Sequence, residues 1–454
     1  MDDVVVVGAG PVGLWLAAEL RLGGASVTVV EPRLAPDPHS KALTIHPRTI
    51  EVLDSRGIAD AVLAEGVPIP SGHFGSLDDR MDFSVLDTPY PFTLVLPQTR
   101  SEELFEARAR ELGADIRRGR RVTALHEEGV IVDNGEILRA RFVVGCDGAG
   151  STVRQAAGID FPGTDATTWG WLGDVVLDAP PSGGVVNVTT PRGGLMVVPM
   201  PGGVHRIVGG DPDSVHTAPP GGLTLPELRE RVQNIAGTDF GLRDPVWLSR
   251  FGNASRQASA YRRDRVLLAG DAAHMHFPAG GVGLNVGVQD AMNLGWKLAA
   301  VATGRAGEDL LDTYEAERRP VGADLLVHTQ AQTALMMAYS ADGQALRGVL
   351  SGLIATVPEL SRHLAERLSG LDVDYGTGRR APDLRFTDGS RLFELLRSGR
   401  HVLLDYTAGD VAHDVPADTV RVTTEPAEAD DLAGWATVRA ALIRPDGHLA
   451  WSRS

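Results

Sequence analysis

The segment RVLLAGDAAHMHFPAGGVGLNVGVQDAMNLGWKL, residues Arg265 to Leu298, carries the pattern around which the chain is organised. It predicts a short apolar strand over Val266 to Ala269, a Gly-Asp turn, a glycine-rich loop and a helix that begins at about Leu284. Because the helix follows the glycines directly, its first backbone N–H groups lack intrahelical partners and carry the positive end of the helix dipole. An anionic or electron-rich ligand is therefore expected at this loop.

Asp271 lies in the turn that ends this strand. Ligands of α/β sheets bind at the carboxyl ends of the strands. A carboxylate at that position can accept hydrogen bonds from ligand hydroxyls. A sugar or a sugar alcohol would suit it.

The amino-terminal segment DDVVVVGAGPVGLWLAAELRLGGASVTVVEPR predicts a strand, a tight turn, a helix and a second strand. Gly8, Gly10 and Gly13 give the GxGxxG spacing after the first strand, and Pro11 suits the first turn of the helix. Glu31 ends the second strand, 21 residues after Gly10, where an acidic side chain binds the ribose hydroxyls of a dinucleotide. A glycine turn without a ligand remains the alternative, although strand, helix and acid all accompany the glycines.

Four further side chains are candidates for the same ligand. Lys41, in the loop after the first dinucleotide element, could contact a phosphate or be a solvated charge. Gln98 precedes a helix and could hydrogen-bond a planar heterocycle or a polyol, or could bond only to the chain. In the segment GCDGAGSTVR, Asp147 lies at another strand end and could face a nucleotide, although an aspartate of a plain tight turn is the alternative. Arg154 is expected one turn into the next helix, facing the same region.

The histidines are weaker candidates. His39 and His46 are expected to be surface or structural residues, whereas His274 and His276, in the sequence HMH, are considered as bases.

Residues 168 to 260 contain short β-rich runs between Gly and Pro turns, which predicts a mostly antiparallel sheet with one helix at about Leu225 to Ile235. Aromatic and methionine side chains there could line an apolar pocket, although each is more often plain core. They are Trp169, Trp171, Met196, Met200 and Phe251. Later in the chain, Leu310 to Arg319 and the run from Val321 to about Leu368 are predicted to be helical.

Composition excludes several classes of function. The 454 residues carry a net charge of −16 and no basic run, which argues against nucleic acid or an anionic membrane as a partner. Cys146 is the single cysteine, so no intramolecular disulfide and no cysteine-based metal site is possible. The sequence predicts a cytoplasmic protein without a signal peptide, a membrane span or a metal site.

Three motifs occur in a fixed order: GAGPVGLWLAAEL with Glu31, GCDGAGSTVR, and AGDAAHMHFPAGGVGLNVGVQDAMNLGWKL. Together they resemble the FAD-dependent aromatic hydroxylases of the para-hydroxybenzoate hydroxylase type, the class A flavoprotein monooxygenases. The RAPDL linker and the tail ending in RPDGHLAW are similar to the thioredoxin-like carboxyl-terminal domain of the aromatic polyketide hydroxylases of that family. The resemblance covers nearly the whole chain.

The resemblance implies an α/β fold: a Rossmann-like FAD-binding domain with an inserted, mostly antiparallel β-sheet substrate domain and a small carboxyl-terminal thioredoxin-like domain. The expected FAD-binding domain comprises residues 1–70, 99–167 and 261–332. The expected substrate domain comprises residues 71–98 and 168–260. A helical connector and linker is expected over 333–382, and the thioredoxin-like domain over 383–454. That last domain lacks the cysteine pair of redox-active thioredoxins and is expected to be structural.

The resemblance also implies a set of cofactor-binding residues. These residues are expected to contact the ADP half, the ribitol or the isoalloxazine of FAD, or to belong to the motif shared between FAD and NAD(P)H binding. They are Gly8, Gly10, Pro11, Val12, Gly13, Glu31, Pro32, Arg33, Lys41, Gln98, Asp147, Arg154, Gly270, Asp271, Pro278, Gly280, Gly281, Gly283, Leu284 and Asn285. Two positions depart from the family pattern. Lys41 stands where arginine is usual, which weakens a bidentate phosphate contact, and Val282 stands where glutamine is usual, which loses a polar group beside the flavin.

The implied activity is NAD(P)H- and O2-dependent hydroxylation of a polycyclic aromatic substrate, expected to be a polyketide, through a flavin C4a-hydroperoxide. The flavin carries the reaction, so no catalytic residue is assigned with certainty. NADPH or NADH is expected as a transient co-substrate, since only one complete GxGxxG unit is present. The protein is expected to be a monomer or a homodimer. Baeyer–Villiger oxygen insertion, antibiotic-inactivating hydroxylation, an NAD-dependent dehydrogenase and a non-enzymatic flavin-binding module remain alternatives.

Overall fold

The computed structural model describes residues 1–216, 221–407, 415–427, 435 and 437–454. Parts of the substrate and carboxyl-terminal domains expected from the sequence therefore lie outside the described residues. The α-helices are α1 (Pro11–Leu22), α2 (Pro47–Asp54), α3 (Ala59–Leu63), α4 (Gln98–Glu111), α5 (Thr152–Ala156), α6 (Leu225–Ala236), α7 (Gly283–Ala302), α8 (Asp312–Met336), α9 (Ala341–Thr356), α10 (Pro358–Ser369) and α11 (Leu392–Leu396).

The strands form several sheets. In chain order they are β1 (Asp2–Val7), β2 (Val27–Glu31), β3 (Thr44–Ile45), β4 (Val67–Ile69), β5 (Ser71–Gly72), β6 (Met81–Asp82), β7 (Thr93–Val95), β8 (Asp115–Arg118), β9 (Val122–His126), β10 (Gly129–Val132), β11 (Ile137–Gly145), β12 (Gly163–Thr164), β13 (Trp169–Leu177), β14 (Val186–Thr190), β15 (Gly193–Pro199), β16 (Val204–Gly210), β17 (Leu242–Gly252), β18 (Ser255–Gln257), β19 (Arg262–Arg263), β20 (Val266–Leu268), β21 (His274–Met275), β22 (Val402–Asp405), β23 (Val420–Val422), β24 (Ala440–Ile443) and β25 (Leu449–Arg453).

The central sheet has the order β19-β20-β11-β1-β2-β8, and its pairings from β20 to β8 are parallel. β1 is a run of valines that are buried on both faces, as expected of a parallel strand covered by helices. Helices α1 and α7 approach each other closely, because a Cβ on Gly295 would lie 2.4 Å from the Cβ of Glu19. The α/β Rossmann-like fold class is confirmed.

A second sheet is antiparallel, in the order β14-β15-β16-β13-β17, and α6 packs on it through Leu228, Val232 and Ile235. A Gly173 Cβ would lie 2.3 Å from a methyl carbon of Leu228, so glycine allows the close packing of helix on sheet. The carboxyl-terminal residues form a four-stranded mixed sheet, β23-β22-β24-β25, with its own apolar core. The domain boundaries expected from the sequence remain predictions.

The helical region after residue 310 differs in detail from its sequence pattern. α8 continues through Pro320, where proline removes one backbone donor. The region then breaks twice, between α8 and α9 and again at Val357. Buried residues on both sides of the proline, such as Arg318 and Leu325, keep the helix packed against the core, and tertiary contacts outweigh the local penalty. No described helix is long and apolar enough to cross a membrane.

Candidate active site

The carboxyl ends of the parallel strands bring four predicted residues to one edge of the central sheet. The register pairs Val7 of β1 with Val30 of β2 and with Gly145 of β11, and Gly145 in turn with Leu268 of β20. The residues that follow at this level are Gly8, Glu31, Asp147 and Asp271. Motifs more than 250 residues apart in sequence are thus neighbours in space.

A continuous cavity of about 930 Å³ opens at this edge and extends under the antiparallel sheet. Most of the predicted cofactor residues line it: Gly8, Gly10, Pro11, Val12, Glu31, Pro32, Arg33, Lys41, Gln98, Asp147, Asp271, Pro278, Gly280, Gly281, Gly283 and Leu284. Gly13, Arg154, Gly270 and Asn285 are not among the residues that line it.

The first glycine-rich turn has the geometry that close approach of a ligand requires. A Cβ on Gly10 would meet no protein atom within 4 Å, because that side of the residue faces the cavity. A Cβ on Gly13 would lie 2.0 Å from the carbonyl oxygen of Gly8, so Gly13 lets α1 pack against the turn. Glu31 accepts hydrogen bonds from Ala9 N at 3.0 Å and Arg33 N at 3.1 Å, which fixes its carboxylate beside the turn.

The Gly270–Asp271 turn presents a carboxylate to the cavity. Gly270 has a φ of +62° and its N–H donates to Asp290 Oδ2 at 3.1 Å. The Asp271 side chain is exposed in the cavity and hydrogen-bonds no other described side chain. A ligand with hydroxyl groups fits this free acceptor, as the sequence suggested.

The start of α7 supplies donors to the same cavity. The first intrahelical hydrogen bond runs from Val286 N to Val282 O at 2.9 Å, so the N–H groups of Gly283 and Leu284 precede it. Both residues line the cavity. The positive end of a 20-residue helix therefore faces the space in which a ligand would sit.

Gln98 and Lys41 both line the cavity. Gln98 accepts from Ala42 N at 3.1 Å and donates to Glu102 Oε1 at 2.7 Å, so its amide ties the loop of Lys41 to α4. Both readings of Gln98 remain open, since it also lines the cavity. Lys41 is exposed and available to an anion.

Asp147 and Arg154 hold their own loop together. Asp147 accepts from Ser151 Oγ at 2.5 Å and from Val153 N at 3.2 Å. Arg154 donates to the carbonyls of Ala272 and Ala149 at 2.9 and 2.7 Å, and its guanidinium lies 3.7 Å from the ring centroid of Phe161. Its terminal nitrogens therefore join the Asp147 loop to the Asp271 turn and do not face the cavity.

The two histidines considered as bases are placed differently. His274 is fully buried, and its Nε2 lies 2.6 Å from Asp290 Oδ2, so its placement does not support a catalytic role. His276 lines the cavity and donates from Nδ1 to Phe277 O at 2.7 Å. Burial lowers the pKa of His276 more than that hydrogen bond raises it, so the ring is neutral and Nε2 is an acceptor.

His46 contributes to the site in a way that its sequence context did not signal. It is buried, its Nε2 donates to Gly280 O at 2.9 Å, and its backbone N–H donates to Asn285 Oδ1 at 2.8 Å. Burial lowers the pKa of His46 to about 4, so the neutral ring fixes the Gly280–Gly281 loop. Asn285 Nδ2 donates to Thr44 O and Gly281 O and closes the same contact.

Val282 is buried in an apolar cluster with Leu325, Leu335 and Leu368, and it is not among the residues that line the cavity. The valine therefore packs behind the Gly280–Gly281 loop. The loss of a polar group beside the flavin, relative to the usual glutamine, remains a prediction.

The part of the cavity beneath the antiparallel sheet is mainly apolar. Phe251 and Met196 line it as the sequence suggested, whereas Trp171 is fully buried core and Trp169 and Met200 lie elsewhere. Further apolar side chains of this wall include Leu172, Val198, Val208, Trp247, Phe277, Met336, Met337 and Leu368.

Comparison with known proteins identifies the group to which this geometry belongs. Residues 1–329 match the FAD binding domain family, and residues 375–454 match the aromatic-ring hydroxylase C-terminal family. The chain is a member of the FAD-dependent aromatic monooxygenases.

Relatives of this monooxygenase align over almost the whole chain. It is 46% identical to the uncharacterized aromatic compound monooxygenase YhjG of Bacillus subtilis (99% of this chain, 94% of that protein). It is 43% identical to a rifampicin monooxygenase of Streptomyces venezuelae (100% and 96%). The solved structure of an anhydrotetracycline hydroxylase from Streptomyces rimosus superimposes with a TM-score of 0.89 at 41% identity (100% and 96%).

FAD is accordingly the cofactor of this monooxygenase, with NAD(P)H as the co-substrate typical of the family. The residues present fit FAD: the open side of Gly10, the held Glu31 carboxylate, the free Asp271 carboxylate and the start of α7 all face one cavity.

Replacing Asp271 with alanine is expected to weaken FAD binding about ten- to a hundredfold, because a charged acceptor of ligand hydroxyl groups is lost. Titration of the apoprotein with FAD, followed by flavin fluorescence, measures the change. Asp160→Ala removes an exposed aspartate outside the cavity and serves as the matched control. An Asp271→Ala protein that binds FAD as tightly as this control would remove the assigned contact.

Proposed function

We propose that the monooxygenase uses NAD(P)H and O2 to hydroxylate a polycyclic aromatic substrate, namely a polyketide. The observation that carries this proposal is the continuity of the cavity, which joins the predicted FAD residues to a wide apolar chamber. A substrate with several rings fits between the antiparallel sheet and the Gly280–Gly281 loop. Two relatives are named for rifampicin and anhydrotetracycline, which are molecules of this kind.

Different residues bind different parts of the cofactor. In this proposal Gly8, Gly10 and Glu31 bind the ADP half of FAD, and Asp271, with Gln98, binds the ribitol. Pro278 and the Gly280–Leu284 loop face the isoalloxazine. Bound FAD supplies the redox chemistry, taking electrons from NAD(P)H and activating O2.

The protein then contributes charge stabilisation and exclusion of water. The N–H groups at the start of α7 stabilise negative charge that develops beside them. The apolar wall of Phe251, Phe277 and Met337 excludes water from the chamber. No described residue is required to act as a nucleophile, and His276, whose neutral ring lines the cavity, offers Nε2 as a hydrogen-bond acceptor.

The test is substrate-dependent NADPH or NADH oxidation and oxygen uptake against a panel of polycyclic phenols, with the mass of the product. We expect one oxygen atom to be gained and coenzyme oxidation to be stimulated by substrate. Gel filtration should retain FAD and release nicotinamide, since the chain has one GxGxxG unit for two dinucleotides. Retained NADP without flavin, or no oxygen gain with any member of the panel, would contradict the proposal.

Ring opening or lactone formation in the same assay would indicate Baeyer–Villiger insertion, and loss of antibiotic activity would indicate an inactivating hydroxylase. The same cavity serves all three outcomes, so product structure separates them. We also propose a cytoplasmic monomer or homodimer without nucleic-acid or membrane partners. The single cysteine supports the cytoplasmic location, the net charge of −16 supports the absence of nucleic-acid and membrane partners, and light scattering measures the oligomeric state.

A further inference from the structure

The Asp271 turn is held from behind by a buried carboxylate. Asp290, on α7, accepts the Gly270 N–H at 3.1 Å through Oδ2 and is 0% exposed. Gly270 adopts a left-handed conformation at the start of a single 3-10 turn, Gly270–Ala272, which is closed by the hydrogen bond from Ala273 N to Gly270 O at 2.8 Å. The position of Asp290 therefore sets the direction in which Asp271 enters the cavity.

Asp290 is itself fixed by two further buried groups. Its Oδ1 accepts from Arg318 Nε at 2.7 Å, and its Oδ2 lies 2.6 Å from His274 Nε2. Burial raises the pKa of Asp290, but Arg318 and His274 outweigh it and hold that pKa below its usual range. Because Asp290 is a carboxylate, His274 donates to it from Nε2, and the buried Nδ1 of His274 has no hydrogen-bond partner among the described residues.

Arg318 extends this network to the carboxyl-terminal part of the chain. Its Nη2 donates to Val286 O at 3.1 Å, and its Nη1 donates to the hydroxyl of Tyr375 at 3.0 Å. Tyr375 follows α10, and its ring lies 4.3 Å from that of His448. Both belong to residues 375–454, which match the aromatic-ring hydroxylase C-terminal family and are called here the carboxyl-terminal unit. One hydroxyl group thus connects the carboxyl-terminal unit to the residue that holds Asp290.

A second contact fixes the same point of α8. Arg444, next to β24, makes two 2.8 Å hydrogen bonds to the carboxylate of Glu317, the residue before Arg318. Its guanidinium also lies 5.2 Å from the Tyr375 ring centroid. The carboxyl-terminal unit therefore hydrogen-bonds two consecutive residues of α8, Glu317 and Arg318. Arg318 in turn is linked to the Asp271 turn through the carboxylate of Asp290.

We propose that Tyr375 and Arg318 are positioning residues through which the carboxyl-terminal unit sets the affinity of the Asp271 turn for FAD. The proposal rests on the proposed contact of Asp271 with FAD. It gives the unit a role in cofactor binding beyond the structural role expected from its lack of a cysteine pair.

Tyr375→Phe tests the connection, because it removes one hydroxyl and keeps the ring packing. We expect the dissociation constant of FAD to rise about three- to tenfold, the range for a residue that acts through others. Tyr406→Phe is the matched control. It removes a comparably buried hydroxyl from the same unit, one that has no hydrogen-bond partner among the described residues.

The measurements are FAD titration of each apoprotein, its thermal midpoint, and the visible absorption of the bound flavin. Positioning predicts weaker FAD binding and a changed flavin spectrum for Tyr375→Phe, with an apoprotein midpoint close to that of Tyr406→Phe. A lower midpoint with FAD affinity within about twofold of the unaltered protein would mean a structural role only, and would overturn the proposal.

Arg318→Lys provides an independent variant. Lysine keeps a positive charge near Asp290 but cannot span from Asp290 to Tyr375 with a planar fork, so FAD affinity should fall at least as far as in Tyr375→Phe. Asp271→Ala is titrated in parallel. If it weakens FAD binding and the two other variants do not, the coupling is wrong and the FAD contact stands; if none of the three does, the contact itself is wrong.

Discussion

Replacing Gly13 with alanine is expected to lower the free energy of unfolding by about 3 kcal/mol or more, and to abolish FAD retention. The new Cβ would lie 2.0 Å from the carbonyl oxygen of Gly8 and 3.2 Å from the Cβ of Cys146. The first atom is backbone, which cannot rotate away, so α1 or the strand edge must shift. Chemical denaturation of the apoprotein, followed by circular dichroism, measures the loss.

Gly10→Ala is the matched variant in the same motif. Gly10 has a φ of −79°, which alanine adopts readily, and its Cβ would meet no protein atom within 4 Å. Stability should change by less than about 1 kcal/mol. FAD affinity should still fall about tenfold or more, because the methyl group occupies cavity space. Equal destabilisation by the two alanines would contradict the separation of a packing glycine from a ligand-facing one.

Replacing Arg56 with methionine is expected to destabilise the protein by about 3–5 kcal/mol, the cost of leaving a buried charge without its partner. Arg56 makes a two-pronged 2.8 Å contact with Glu19 on α1, and both side chains are less than 5% exposed. It also donates to the carbonyls of Leu396 and Pro445. Methionine would strand the carboxylate and both carbonyls at once.

Arg100 offers the same chemistry at the surface. It makes hydrogen bonds of 2.7 and 2.8 Å with Glu65, but both side chains are more than a third exposed. Arg100→Met should therefore cost less than about 1 kcal/mol in the same denaturation experiment. A double variant of Arg56→Met with Glu19→Leu should recover part of the loss. Equal losses of stability for Arg56→Met and Arg100→Met would show that burial does not determine the contribution of these ion pairs.

The sequence allowed the fold class and the cavity residues at the carboxyl edge of the central sheet to be predicted, because both depend on local patterns. A valine strand followed by GxGxxG and, later, an acidic residue fixes where Gly10 and Glu31 lie, and a strand followed by Gly-Asp fixes Asp271. Parallel pairing then brings these strand ends together without further information.

The remaining features depend on contacts between distant segments. Nothing in the sequence around His46 indicates that it hydrogen-bonds Gly280, and Arg318 has no local signal that distinguishes it from Arg319. The direction of Val282 follows from the packing of α8 and α10 and not from its place in the motif. Tertiary packing likewise carries α8 through Pro320, which a local propensity argument would treat as a stop.

The contacts of Arg48 and Arg56 with the last sheet bear on the order of events during synthesis. Both arginines lie within the first 60 residues, yet they donate to the carbonyls of Pro445 and Asp446, almost 400 residues later. A nascent chain can form the first sheet early, but these guanidinium groups stay hydrated until the final strands leave the ribosome. We therefore expect these two arginines to reach their final hydrogen-bond partners only at the end of synthesis.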